Sequence, residues 1–99
     1  MEVKGPRKDN PFNAQAWNAK AYLFALTDRN QEALSLVDKA LEIDPHNPKA
    51  LDTKGFILSN LGKYREGINY YDKAIEIHPN YSEAIRHKEM ALSRLQKIR

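Results

Sequence analysis

The sequence repeats itself with a period of 34 residues, so that residues 14–47 align with residues 48–81. Nine aligned positions carry the same amino acid, and the clearest block reads DKALEIDP at residues 38–45 and DKAIEIHP at residues 72–79. A third copy begins at Ser82 and covers half a period. A repeat of this length is one supersecondary unit, whose hydrophobic face is buried only when neighbouring units stack. The period therefore predicts a stack of similar units that share a core.

Each period contains two segments in which apolar residues recur at three- and four-residue steps, the spacing of an amphipathic helix. Trp17, Ala21 and Phe24 begin this pattern in the first copy. The pair Asn47-Pro48 is typical of a helix start, because asparagine caps free backbone N–H groups and proline loses nothing at the first helical position. Short breaks between the segments make successive helices antiparallel. The sequence predicts five helices, at about 13–27, 30–43, 47–61, 64–77 and 82–97.

The composition excludes several classes of protein. A chain of 99 residues predicts one small domain. Because it has no cysteine, it can form no disulfide, thiolate metal site or thiol nucleophile. No apolar stretch approaches the roughly 18 residues of a membrane span, and residues 1–8 lack the apolar run of a signal peptide. These features favour a cytoplasmic protein.

The net charge of +3 is distributed unevenly along the chain. Residues 1–8 carry +2, residues 9–81 carry −2, and residues 82–99 carry +3. A solvated terminal helix explains the basic C-terminal end, and an anionic partner is the alternative.

The repeat resembles the tetratricopeptide repeat (TPR) family, whose pattern is Trp-x2-Leu-Gly-x2-Tyr, then Ala-x3-Phe, then Pro. The matching residues are Trp17, Lys20, Ala21, Phe24, Ala33, Val37, Ala40 and Pro45 in the first copy, and Leu51, Lys54, Gly55, Leu58, Tyr64, Gly67, Tyr71, Ala74 and Pro79 in the second. Lysine replaces the leucine of the pattern in both copies, and Gly67 replaces its small alanine.

The resemblance covers residues 14–97 and implies an all-α, right-handed helical-hairpin solenoid with five helices. Its parts are two TPR motifs at 14–47 and 48–81 and a C-terminal capping helix at 82–97, within a domain at 13–99. Residues 1–12 form an N-terminal extension that we expect to be poorly ordered. No cofactor is implied.

The last helix is expected to cap the stack, with a polar outer face. Glu89 occupies the place of the small Ala21 and Gly55, and a carboxylate there must stay in water. We expect Ile85, Leu92 and Leu95 to pack inward and Arg86, Glu89, Arg94 and Lys97 to point outward. The first helix has no such cap, so apolar surface beside Trp17 or Leu23 is expected to be exposed. A homodimer, for example by exchange of the last helix, would cover that surface.

In this family the first helix of each repeat lines a concave groove. The resemblance places there Gln15, Asn18, Tyr22, Leu26, Lys49, Asp52, Thr53, Phe56, Asn60, Glu83, Arg86, His87 and Met90. It implies a non-catalytic protein–protein interaction module that binds a peptide or a partner helix in the groove. The predicted contact residues are Asn18, Tyr22, Asp52, Phe56, Asn60, Arg86 and Met90, with Tyr22 and Phe56 as an apolar floor. The alternative is an inner surface that is merely solvated.

One specific partner class can be tested on the sequence. Family members that bind the acidic C-terminal tails of heat-shock chaperones use a two-carboxylate clamp of Lys and Asn on the first helix, Asn on the third, and Lys and Arg on the fifth. The matching positions here are Asn18, Tyr22, Thr53, Glu83 and His87. None of them fits, and Glu83 would repel a carboxylate. The sequence therefore predicts that the chain is not a clamp-type chaperone-tail binder.

Other chemistry has little support in the sequence. His46, His78 and His87 are expected to be solvated surface histidines, since they lack the spacing of a metal site. The chain has no glycine-rich phosphate loop and no Ser/His/Asp signature, so we predict that it is not an enzyme. Binding of RNA or an anionic surface is the less favoured alternative. It would use Arg86, Lys88, Arg94, Lys97 and Arg99, but aromatic residues do not interleave with these charges.

Overall fold

A computed structural model describes residues 11–98 of the chain, and the side chains of residues 13–97. Within this range the chain forms five helices and no strand. They are α1 (Pro11–Leu26), α2 (Asn30–Ile43), α3 (Pro48–Asn60), α4 (Tyr64–Ile77) and α5 (Ser82–Ile98). The bounds agree with the sequence prediction to within two residues, and α1 begins at Pro11 rather than at residue 13. Residues 1–10 of the expected N-terminal extension, and Arg99, lie outside the described residues.

The first helix of each repeat ends in the same way. Asp28 and Gly62 follow α1 and α3 at equivalent positions and have positive φ angles of 67° and 84°. The N–H of Lys63 then donates to the carbonyl of Leu58 at 2.8 Å, and the same bond recurs one repeat earlier. This is a Schellman motif, in which a left-handed residue turns the chain back and satisfies free helical carbonyls. Each motif starts a three-residue connection that forms a helical hairpin.

The start of α3 confirms the predicted cap. The side-chain oxygen of Asn47 accepts hydrogen bonds from the N–H groups of Lys49 and Ala50, at 3.0 and 3.2 Å. Pro48 occupies the first helical position, where it needs no N–H partner.

Replacing Asn47 with alanine is expected to lower the free energy of unfolding by about 1 kcal/mol, because two N–H groups lose their acceptor. Urea denaturation of the two proteins measures this loss. Asn69→Ala is a matched control, since Asn69 lies on the exposed side of α4 and caps nothing. Equal losses in the two variants would contradict a capping role.

Small residues allow the two helices of each pair to approach closely, as predicted. In the first pair Ala21 lies in the core with Val37. At the equivalent positions of the second pair, Gly55 lies against the much larger Tyr71. A Cβ added to Gly55 would lie 2.5 Å from a ring carbon of Tyr71 and 2.8 Å from the carbonyl oxygen of Gly67. The larger ring in the second repeat therefore requires the smaller partner.

The lysine that departs from the TPR pattern has a structural role. Lys54 of α3 binds Asp38 of α2 at 2.7 Å, and Lys88 of α5 binds Asp72 of α4 at 2.6 Å. These residues are related by the same 34-residue shift. The lysine thus links the first helix of a repeat to the second helix of the preceding repeat.

The capping helix packs through a different stripe from the one predicted. Ala84 and Ala91 are buried and Leu95 is half-buried, whereas Ile85 and Leu92 are 36% and 38% exposed. The prediction that Ile85 and Leu92 point inward is therefore wrong. Both lie one residue further round the helix than the buried alanines, on a side of α5 that stays partly exposed. Arg86, Glu89, Arg94 and Lys97 are exposed, as expected.

None of the helices in the described chain combines the length and the apolar character needed to cross a membrane.

Candidate functional site

The first helix of each repeat contributes to one face of the molecule, because α3 contacts both α1 and α5. We call this face the groove. It holds two cavities. The polar cavity, of about 190 Å³, is lined by Asn18, Ala19, Tyr22, Lys49, Asp52, Thr53, Tyr81, Glu83 and His87. The small cavity, of about 80 Å³, is lined by Phe56, Ser59, Asn60, Tyr64, Tyr71, His87, Met90, Ala91 and Arg94.

A series of rings crosses the groove from α1 to α5. The ring centroids of Tyr22 and Phe56 are 5.7 Å apart, and those of Phe56 and His87 are 5.4 Å apart. Tyr71 of α4 lies beneath the end of the series, 5.7 Å from His87. These separations are typical of favourable aromatic pairs. The rings form a continuous apolar floor. One of them, His87, lines both cavities.

His87 is not a solvated surface residue, and that prediction is wrong. Its Nδ1 atom lies 3.0 Å from Oδ1 of Asp52, and both side chains are largely buried. The reason is the packing of α5 on α3, which brings positions 52 and 87 together across adjacent repeats. Asp52 is only 5% exposed and already has a partner within the protein.

Asn60 is likewise held by the protein. Its side-chain amide donates to Oδ1 of Asn30 at 3.0 Å, and the amide of Asn30 donates to Oδ1 of Asp28 at 3.1 Å. The three residues join the end of α3 to the start of α2. One edge of the groove is therefore fixed in position before any ligand binds.

Asn18, unlike Asp52 and Asn60, has a side-chain oxygen without a hydrogen-bond partner. Its Oδ1 atom is buried and accepts no hydrogen bond, and it is the sole side-chain polar atom of the described residues in that condition. A buried acceptor without a donor costs about 1–3 kcal/mol. Asn18 lines the polar cavity, so a donor that entered the cavity could relieve this cost after rotation of the amide.

Two tyrosine hydroxyls at the groove stay protonated well above neutral pH. Burial raises the pKa of Tyr71 to about 12, against a hydrogen bond from Ser59 that lowers it. The pKa of Tyr81 is raised above its usual range. Burial is the largest cause, and the negative charges of Asp52 and Glu83 are the next largest. The smaller part of this shift, which comes from the two carboxylates, reflects negative charge at that end of the groove.

The structure brings together most of the predicted contact residues. Tyr22 and Met90 are 40% and 53% exposed, and Phe56 lies between them on the floor. Arg86 is exposed on α5 but lines neither cavity. The lining residues that we did not predict are Ala19, Ser59, Tyr64, Tyr71, Tyr81, Ala91 and Arg94. Tyr64 and Tyr71 belong to second helices, and no helical spacing along the chain relates them to the groove.

Comparison with known proteins gives two matches to models of one family. A model described as tetratricopeptide repeat matches residues 7–48, and a second with the same description matches residues 48–81. Together they span more than half of the chain. No curated protein matches the sequence.

Thirty-seven chains of solved structures match the fold. One is described as the first TPR of Spaghetti (RPAP3) bound to the HSP90 peptide SRMEEVD. The match has a TM-score of 0.83 and 20% sequence identity, and covers 93% of this chain and 73% of the other. At that identity the likeness shows a common fold.

Proposed function

The chain belongs to the tetratricopeptide repeat family, and from that premise we propose that it binds a peptide or a partner helix in the groove. The TPR fold is a protein-interaction module and is generally non-catalytic. We further propose that this chain acts as a non-catalytic adaptor or scaffold in the cytoplasm, and that its contact residues lie along the ring series.

The observation that carries this proposal is the apolar floor of the groove. Tyr22 and Met90 expose large side chains on either side of Phe56, and a cavity opens at each end. Aromatic anchors flanked by pockets are the usual centres of binding energy at peptide interfaces. The hydrogen bonds of Asn60 and Asp52 hold this surface in shape, so little ordering is required when a ligand binds.

The ligand we propose differs from the peptide of the structural relative. That relative was solved with an HSP90 peptide that contains two adjacent glutamates. Here Glu83 and His87 stand at the two α5 positions where the clamp has lysine and arginine, and His87 is already paired with Asp52. We therefore propose a partner other than an acidic chaperone tail.

Selection from a library of random 12-residue peptides tests the groove without knowledge of the partner. We expect peptides that bind the natural sequence and lose affinity for the Tyr22→Ala/Phe56→Ala variant by more than about 2 kcal/mol, because both aromatic anchors are removed. Calorimetry or fluorescence anisotropy measures the affinity.

Leu23→Ala is the matched control for this experiment. Leu23 lies beside Tyr22 on α1 and is 61% exposed, but it lines neither cavity. Its removal is expected to leave peptide affinity unchanged, and circular dichroism checks that each variant is folded. Peptides that bind the double variant as well as the natural sequence would contradict the groove as the binding surface.

Self-association is the second candidate function. Leu23 and Leu26 on α1, and Ile85 and Leu92 on α5, expose apolar surface outside the two cavities. A homodimer would bury such surface. Light scattering over a range of concentrations distinguishes the two candidates, since a stable dimer would favour self-association.

The basic residues of α5 give less support to binding of RNA or an anionic surface. Lys88 is already paired with Asp72 at 2.6 Å, and Arg99 lies outside the described residues. Arg86, Arg94 and Lys97 are exposed. If they bound phosphates, the affinity would fall steeply with salt.

A further inference from the structure

We infer that the polar cavity of the groove takes a cationic side chain, lysine or arginine, from the bound peptide. This inference rests on the proposed function and specifies the chemistry of its ligand. It depends on three features of the cavity: its charges, its unpaired acceptor and the ring beside it.

The charges of the polar cavity favour a cation. Two carboxylates line it, Asp52 from α3 and Glu83 from the first turn of α5. Asp52 is buried, so water and salt screen its charge poorly. Its Oδ1 is already paired with His87 at 3.0 Å, so an incoming cation would pair with its other oxygen or with Glu83. The same two carboxylates help to raise the pKa of Tyr81 in the cavity wall, after the larger effect of burial. A carboxylate of a ligand would be repelled at this position.

The unpaired acceptor indicates a hydrogen-bond donor. Oδ1 of Asn18 is buried without a partner, and Asn18 lines the same cavity as the carboxylates. Lysine and arginine carry only donors at the ends of their side chains. A cation in the cavity would therefore pair with a carboxylate and, once the Asn18 amide rotates toward the cavity, supply the donor that its Oδ1 atom lacks. Tyr22 lies at the cavity wall, where its ring can pack on the aliphatic stem of either residue.

Lys49 is the one lysine or arginine that lines the polar cavity within the described chain, and it opposes an incoming cation. It is exposed, in the first turn of α3, so water screens its charge more than that of Asp52. Because Lys49 and Glu83 carry opposite charges, removing each of them should change the affinity for a cationic peptide in opposite directions. Removal of Glu83 should weaken binding of a cationic peptide, and removal of Lys49 should strengthen it.

The experiment begins with the peptides selected on the natural sequence. We expect lysine or arginine to be enriched over aspartate and glutamate at one peptide position. A synthetic peptide with that residue is then compared with a copy that carries glutamine there. The cationic peptide is expected to bind about tenfold more tightly, the usual scale of one charge-assisted hydrogen bond. Lysine and arginine versions distinguish the two cations.

Three variants locate the effect in the cavity. Glu83→Gln is expected to reduce the preference for the cationic peptide to about threefold or less, since half of the cavity's carboxylates are removed. Lys49→Gln is expected to increase the preference. Glu89→Gln is the matched control, because Glu89 lies on the same helix, is exposed, and lines neither cavity. It should leave the preference unchanged.

The outcomes separate this inference from the proposed function. If selected peptides depend on Tyr22 and Phe56 but show no preference for a cation, the inference is overturned and the proposed function stands. An equal loss of preference in Glu83→Gln and Glu89→Gln would also overturn the inference, because the effect would then be one of net charge. If no peptide binds in the groove, both fail together.

Discussion

Replacing Tyr71 with alanine is expected to lower the free energy of unfolding by about 4 kcal/mol, the range for truncation of a large buried aromatic residue. Tyr71 is 1% exposed and is among the largest fully buried side chains of the described chain. Its ring fills the space between α3 and α4 that the absence of a side chain at Gly55 leaves open. The variant would have a cavity there which the two helices cannot close, because their backbones are already in contact.

Urea denaturation measures this effect, and Tyr71→Phe is its control. Phenylalanine keeps the ring and loses only the 3.4 Å contact between the hydroxyl groups of Tyr71 and Ser59. We expect the control to lose less than about 1 kcal/mol. If both variants were equally destabilised, the hydroxyl contact rather than the packing of the ring would be the main contribution.

Replacing Gly55 with alanine is expected to lower the free energy of unfolding by about 3 kcal/mol, as for other overpacked cores. On an exposed helix the same change would stabilise the protein by about 1 kcal/mol, because alanine is the better helix former. Here the new Cβ meets the Tyr71 ring at 2.5 Å and the carbonyl oxygen of Gly67 at 2.8 Å. The ring can move, but the carbonyl belongs to the backbone of α4 and moves only with the helix.

A double variant tests this explanation. Gly55→Ala/Tyr71→Val reproduces in the second repeat the Ala21–Val37 combination of the first. The cost of Gly55→Ala should be smaller in the Tyr71→Val background than alone, since the clash with the ring is gone and the contact with Gly67 remains. Stabilisation by the single change Gly55→Ala would contradict the close helix approach.

The fold follows from local patterns that can be read along the chain. The 34-residue period, the three- and four-residue apolar steps, and caps such as Asn47-Pro48 predicted five helices whose bounds the structure confirms to within two residues. These signals are local, because a helix closes hydrogen bonds between residues only four apart. The TPR resemblance then supplied the way in which the helices stack.

The candidate site was less accessible to the same reasoning. Tyr22, Phe56 and Met90 line the two cavities, because their positions follow from the register of helices α1, α3 and α5; their contact with a partner stays a prediction. His87 was expected in water, yet it pairs with Asp52, which lies 35 residues earlier in the sequence. Because the repeat is 34 residues long, a separation of 35 residues places His87 one position after the equivalent of Asp52 in the next repeat. Only the packing of α5 on α3 shows that they meet.

The sequence by itself determined the number, the extent and the antiparallel order of the helices, since periodicity and capping act within single turns of the chain. The tertiary structure decided which side of α5 is buried and which polar groups have partners. Ala84 and Ala91 lie inside while Ile85 and Leu92 remain exposed, and Oδ1 of Asn18 is left without a donor. These outcomes depend on distances between residues far apart in the sequence, and hydrophobicity at one position does not encode them. The physical reason is that burial is a property of the neighbours that surround a side chain.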